Sequence, residues 1–183
     1  MYRLLLVLVL ILVVSCEKEF VPKPKAYLSL NYPTVPYKKL EVKRPYIFDV
    51  STNATVKKLP KNWLKVAYPS LKASIDITYR PVNNNLKELL IEAEKLVFEH
   101  AIKADQISSN NFENTKNNVY GTLYDIAGNS ASQVQFHVTD STNHFLKASL
   151  FFKTKPNYDS ILPAVDYLKK DMVRIMESLQ WQK

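Results

Sequence analysis

Three side chains near the middle of the sequence could share a metal ion. His137 and His144 flank a turn that begins at Asp140. With a hairpin loop at 140–143, Thr139 lies opposite His144, and His137 sits diagonally from it on the same face. Asp140 would be the third ligand, as a hydrolytic zinc site needs three protein ligands and an open position. The competing reading is two surface histidines beside a turn, and a one-residue change of register separates them. His100 lies on or beside the apolar stripe of a helix and reads as a partly buried histidine with a hydrogen-bond partner. No Ser/His/Asp order stands in a recognisable context. Asp140-Ser141 and Asp159-Ser160 read as turn and cap chemistry, although each also resembles an Asp-Ser/Thr-apolar O-glycosylation acceptor of bacteria. Ser141 and Ser160 are candidate acceptors on that ground.

Cys16 is the only cysteine. It ends a segment that opens with Arg3 and runs apolar from Leu4 to Val14, the layout of a secretory signal. The apolar run is too short to cross a bilayer, which takes ~20 residues. Ser15 followed by Cys16 resembles the lipobox of bacterial lipoproteins, in which the cysteine is acylated and becomes the mature N-terminus. The expectation is a chain that works outside the cytoplasm, tethered to membrane lipid through Cys16. An internal disulfide, a thiolate zinc site and a second thiol nucleophile are excluded.

The formal net charge is +8. Lys38, Lys39, Lys57, Lys58, Lys61, Lys169 and Lys170 look scattered, with no Arg-rich run and no nucleic-acid motif. The balance therefore reads as a solvated surface near anionic lipid or glycan, with no nucleic-acid partner. Gly121 and Gly128 are the only glycines. Phosphate-cradling loops and the Gly-x-Ser-x-Gly elbow need more, closely spaced, so P-loop, Rossmann and many hydrolase readings fall away. No cofactor is implied. The Asn-rich stretches, a Gln133/Gln135 face and 11 tyrosines would suit glycan or peptide recognition, against the simpler reading of an aromatic core with a polar exterior.

These residues must be positioned by a single domain. Residues 1–15 read as signal peptide, 16–45 as a Pro-rich tether and 46–183 as the domain. Tyr27, Leu28 and Leu30 could add an edge strand. Short strands are expected at 46–50, 54–58, 63–68 and 71–80. A helix follows, capped by Asn85 with Glu88 three positions on and ending near Asp105. Its stripe is Leu86, Leu89, Leu90, Ala93, Leu96, Val97, Ala101 and Ala104. Residues 106–118 are polar and read as a loop. Strands at 119–126, 132–139 and 144–153 form a meander. A last helix follows, capped by Asp159 or Ser160, with Pro163 in its first turn. The fold class is α+β: an antiparallel sheet, including the three-stranded meander, packed against two amphipathic helices. A Mog1/PsbP-like arrangement is one analogue, and it carries no function.

Longer stretches carry a whole-domain resemblance. They are "VPKPKAYL" at Val21, "YRPVNNNL" at Tyr79, "FEHAIKAD" at Phe98, "VYGTLYDIAGNSASQVQFHVTDSTNHFL" at Val119 and "PNYDSILPAVDYLKKDM" at Pro156. From Pro22 to Trp181 the chain resembles the gliding motility lipoprotein GldD family of Bacteroidetes. The resemblance implies a lipoprotein of the gliding machinery, tied to type IX secretion, with other proteins of that machinery as partners. It implies no enzymatic activity and offers no catalytic residues; only the lipidated cysteine transfers, to Cys16. Glu17, where an inner-membrane retention signal would show Asp, leans towards the periplasmic face of the outer membrane. Lys18-Glu19 faintly resembles a surface-export signal. The alternative is a tethered envelope enzyme or glycan-binding module acting on cell-envelope polysaccharide.

Overall fold

The structure is a computed structural model and describes residues 30, 32–100, 103–154 and 157–182. Cys16, the signal segment, Tyr27 and Leu28 lie outside the described residues. Leu30 is exposed and outside any strand.

The chain enters through β1 (Tyr37–Lys39), which pairs with β3 (Asp49–Ser51), while β2 is Tyr46–Ile47. Leu40 is buried, so residues before Pro45 pack onto the domain. β4 (Thr55–Lys58), β5 (Leu64–Tyr68) and β6 (Ala73–Pro81) form successive antiparallel pairs. Helix α1 (Leu86–His100) then crosses to the far edge. From there β7 (Ala104–Asn114), β8 (Val119–Gly128), β9 (Val134–Thr139) and β10 (His144–Phe152) step back to β6. The seven strands run in the order β4-β5-β6-β10-β9-β8-β7. Helix α2 (Tyr158–Ser178) follows, and β11 (Gln180–Trp181) pairs with β2. The α+β class holds.

Strand periodicity divides the core between the two faces. Leu64 and Val66, Ile75 and Ile77, Leu146 and Leu150, and Val134, Phe136 and Val138 point one way, towards Val165, Leu168, Met172 and Ile175 of α2. The opposite face carries Phe145 under Leu89 and Ala93 of α1, and Tyr124 and Ile126 under Val97. The α2 stripe recurs at helical spacing and is covered from Val165 to Leu179; among its described side chains α1 buries only Leu89, Ala93 and Val97.

Several local expectations are corrected. Residues 106–114 belong to β7, an edge strand that pairs along its length with β8, and only 115–117 form a tight 3-10 turn. The backbone ladder, not an apolar pattern, makes this strand. Helix α1 therefore stops at His100, because Ala104 already sits in β7. Asn85 does occupy the cap position, its carbonyl accepting Leu89 N–H at 3.1 Å, but its side-chain oxygen accepts from Asn83 N–H at 2.8 Å. The N-cap position of α2 is Asn157, whose side chain makes no capping bond, rather than Asp159 or Ser160. Pro163 consequently lies in the second turn, where its missing N–H removes a helical bond.

Gly121 has a steric reason. A Cβ there would stand 1.9 Å from the carbonyl oxygen of His137 on the neighbouring strand. Gly128 has φ +102°, and closes the β7–β8 pair beside the irregularity between Ala104 and Gln106.

Candidate functional site

The three proposed metal ligands sit at one end of β9 and β10. The register pairs Phe145 with Thr139 and Lys147 with His137. Asp140 N–H donates to the His144 carbonyl at 3.3 Å, and Ser141 has φ +68°. The loop is thus three residues closed by Asp140 and His144, not four closed by Thr139 and His144. That single residue turns His144 to the α2 face and leaves His137 on the α1 face.

His137 is buried, 5% exposed, between the rings of Phe145 and Tyr124 at 5.8 and 5.9 Å. Its Nδ1 has no hydrogen-bond partner. Burial pushes the imidazole down to about 4, so it is neutral at pH 7. His144 instead has Nδ1 at 2.8 Å from the Tyr79 hydroxyl and lies flat on the Trp181 ring, 5.0 Å between centroids. Asp140 is consumed by its own turn. Its Oδ1 accepts from the N–H groups of Thr142, Asn143 and His144 at 3.0, 2.8 and 2.8 Å, and Oδ2 accepts the Thr142 hydroxyl at 3.1 Å. Burial raises the Asp140 carboxyl, but those donors outweigh it and hold the group below the usual range. Among the described residues no group of three His, Cys, Asp or Glu side chains could hold a metal.

The structure joins His144 and Asp140 in a different feature. They line an open cleft of about 600 Å³ with Lys116, Asn118, Thr142, Gln180 and Trp181. The Trp181 indole N–H donates to the Asn118 carbonyl at 3.0 Å, tying the C-terminal strand to the turn before β8. The walls are amides, the Asp140 carboxylate, the Thr142 hydroxyl, one ammonium and an aromatic pair. Such a recess can accept hydrogen bonds and stacking from a polar ligand or a partner's loop. Its one side-chain hydroxyl, that of Thr142, donates to the Asp140 carboxylate, which the turn N–H groups already occupy. The sequence missed Trp181 here because its partner His144 is distant along the chain.

The remaining candidates disperse. Ser141 is exposed in the hairpin turn and Ser160 is exposed in the first turn of α2. His100 ends α1. Gln133 and Gln135 are buried, 3% and 1% exposed, and so form no outward recognition face. Gln133 Nε2 donates to the Ser130 carbonyl at 2.8 Å, and Gln135 Oε1 accepts the Ser149 hydroxyl at 3.1 Å. Tyr46, Tyr68, Tyr79 and Tyr124 are core residues.

A second polar cluster fixes the entry of the chain. Asp171 on α2 is 3% exposed and accepts the hydroxyls of Tyr37 and, at 2.7 Å, Tyr68. Burial, then the neighbouring carboxylate, pushes both phenols far above their ordinary range, so both stay donors. Tyr32 stacks on Tyr167, whose hydroxyl donates to the Pro33 carbonyl at 3.1 Å. These contacts lay residues 32–37 along α2.

A family model described as gliding motility lipoprotein GldD matches residues 17–181, nearly the whole chain. The chain belongs to the GldD lipoprotein family. A search of curated proteins finds no match. Membership makes this GldD-family chain a membrane-anchored lipoprotein of the cell envelope, associated with gliding motility. Among the described residues no helix is long and apolar enough to cross a membrane.

Proposed function

We propose that this GldD-family protein is a non-catalytic interaction subunit of the gliding machinery, linked to type IX protein secretion. Lipid on Cys16 anchors it, and the α+β domain contacts other proteins of the machinery. The family match carries the reading. Its support from geometry is that the one sequence-derived catalytic constellation, His137, His144 and Asp140, is divided between two sheet faces. The tethered-enzyme alternative thereby loses its ligand set. The outer membrane, periplasmic face, remains the favoured location on the Glu17 argument.

Gene deletion, restored with wild type or Cys16→Ala, tests it. Colony spreading and the secreted proteome are scored together. Loss of both on deletion and recovery with wild type is the expected result; the Cys16→Ala strain is expected to lose acyl labelling and to complement poorly. Normal spreading and secretion in the deletion strain would overturn the reading.

A further inference from the structure

The +8 charge is concentrated in one part of the fold. Residues 37–72 hold nine of the 25 Lys and Arg, but only two of the 17 Asp and Glu, Glu41 and Asp49. The rest of the chain is close to neutral. Asp49 is further neutralised by Arg174. The structure places these cations on the edge built by β1 to β5, with Lys57 and Lys58, like Lys38 and Lys39, pointing to opposite sides of it. Lys38 and Lys39 on β1, with Glu41, line a groove of about 570 Å³ whose apolar residues are Leu40, Val42, Val50, Ala54 and Val56. Val56 belongs to β4, the outermost strand at that end of the sheet, whose Lys57 and Lys58 are exposed. Arg44 donates to the Leu59 carbonyl at 3.2 Å, which brings the 43–44 corner beside the loop carrying Lys61.

Carboxylates are scarce on this side, where Lys65 is paired with Asp76 at 3.0 Å. Lys38, Lys39, Lys57, Lys58 and Lys61 have no acidic partner among the described residues. Lysines on β4 alone would serve to guard an open sheet edge. That role does not explain Lys38 and Lys39, which stand on the separate β1–β3 pair.

We propose that the β1–β5 side is a docking face for the anionic phospholipid headgroups of the membrane that holds the protein. The proposal rests on the membrane-anchored reading above. Charge complementarity favours phosphate, and the apolar groove floor between the lysines suits the glycerol and upper acyl region beneath it. The connection to the anchor points the same way. The described chain comes in along α2 at Tyr32 and Pro33 and immediately forms β1, the wall of the groove. The 14 peptide steps between Cys16 and Leu30 reach at most about 50 Å when extended, which permits contact with the anchoring surface.

The test uses the lipidated full protein purified from membranes and reconstituted in vesicles of phosphatidylcholine, alone or with one-third phosphatidylglycerol. A water-soluble amine-acylating reagent then reports each lysine by mass spectrometry. Labelling of Lys38, Lys39, Lys57 and Lys58 is expected to slow several-fold in the anionic vesicles only, since each basic residue near such a surface contributes roughly fivefold to partition. Lys95 and Lys116 are expected to be unchanged, and the protection to vanish at ~0.5 M salt, where screening is short-ranged. With Lys38, Lys39, Lys57 and Lys58 all changed to Gln, Lys61 is expected to lose its own protection. Equal labelling in both vesicles would overturn the proposal. Protection found only in native membranes would also overturn it and assign the face to an acidic protein. Flotation with neutral vesicles reads the anchor separately: flotation with anionic vesicles alone sinks the anchor and supports the face, and flotation with neither sinks both.

Discussion

His137 shows how far one residue's environment can depart from its sequence context. It sits two residues from a polar turn, yet it is packed between Tyr124 and Phe145 with Nδ1 unpartnered. The sequence made both histidines legible as hairpin neighbours, but their separation hangs on one residue of loop length. Asp140 and His144 close the loop through an Asx-type turn with Ser141 in the left-handed region, and side-chain parity follows. Side-chain parity cannot be read until the closing pair is known. A pH dependence follows from burial. The folded imidazole titrates at about 4, against ~6.5 in the unfolded chain. Between those values the unfolded state binds a proton that the folded state does not. The contribution is therefore fully present above pH 6.5, is lost as pH falls towards 4, and is flat below. It is worth about 3 kcal/mol at most. His137→Phe keeps an aromatic ring in the stack and removes the titration. Between pH 7 and pH 4.5, urea denaturation is expected to show wild type losing about 2–3 kcal/mol more stability than the variant. Equal losses would mean that the imidazole takes up its proton while folded.

At the scale of elements, those with an apolar period were legible and those without one were not. β9 was readable from Val134, Phe136 and Val138, and α2 from Val165, Leu168, Met172 and Ile175, because burial on a fixed face enforces the period. β7 has solvent along most of both faces, with Ile107 and Phe112 half-buried on opposite sides. Its identity comes from ten paired positions on β8, a long-range fact. β1 is similar: Tyr37, Lys38 and Lys39 are all exposed, and what holds the strand is its ladder with β3 and the Tyr37 hydroxyl on Asp171. Asp171 also holds Tyr68 in the core, so the two phenols are unequal partners. Tyr37→Phe removes one bond at the periphery and is expected to cost about 1 kcal/mol, with faster amide exchange confined to β1 and β3. Asp171→Asn leaves a buried amide able to accept at only one atom, and is expected to cost about 2–3 kcal/mol. Exchange then rises in β5 and α2 as well. If both variants loosened the same segment equally, the carboxylate would not be the link between the entry strand and the core.

For the whole molecule, the order of strands, helix, meander and helix was legible because each element is local. The sheet order was not. β10 lies between β6 and β9, so the β4–β6 and β7–β10 blocks meet along one ladder of nine pairs. That ladder closes both faces at once. Leu146, Ala148 and Leu150 of β10 pack under α2, while Phe145 packs under α1. Neither block can pair its inner edge strand, β6 or β10, without the other, and the chain has no disulfide to hold a half-formed sheet, since Cys16 is its only cysteine. Unfolding is therefore expected to be all-or-none despite the uneven attachment of the helices. Calorimetry is expected to give one transition with van't Hoff and calorimetric enthalpies in a ratio of about one. Ala148→Asp, on the central ladder with Ala148 fully buried, is expected to remove the transition for both blocks together, because it leaves an unpaired charge in the shared core. Helix α1, with three buried residues, is the place where cooperativity would fail. A separate early transition, shifted by Leu89→Ala and untouched by Leu168→Ala, would show that the α1 face opens while the α2 face and the seven-stranded sheet remain folded.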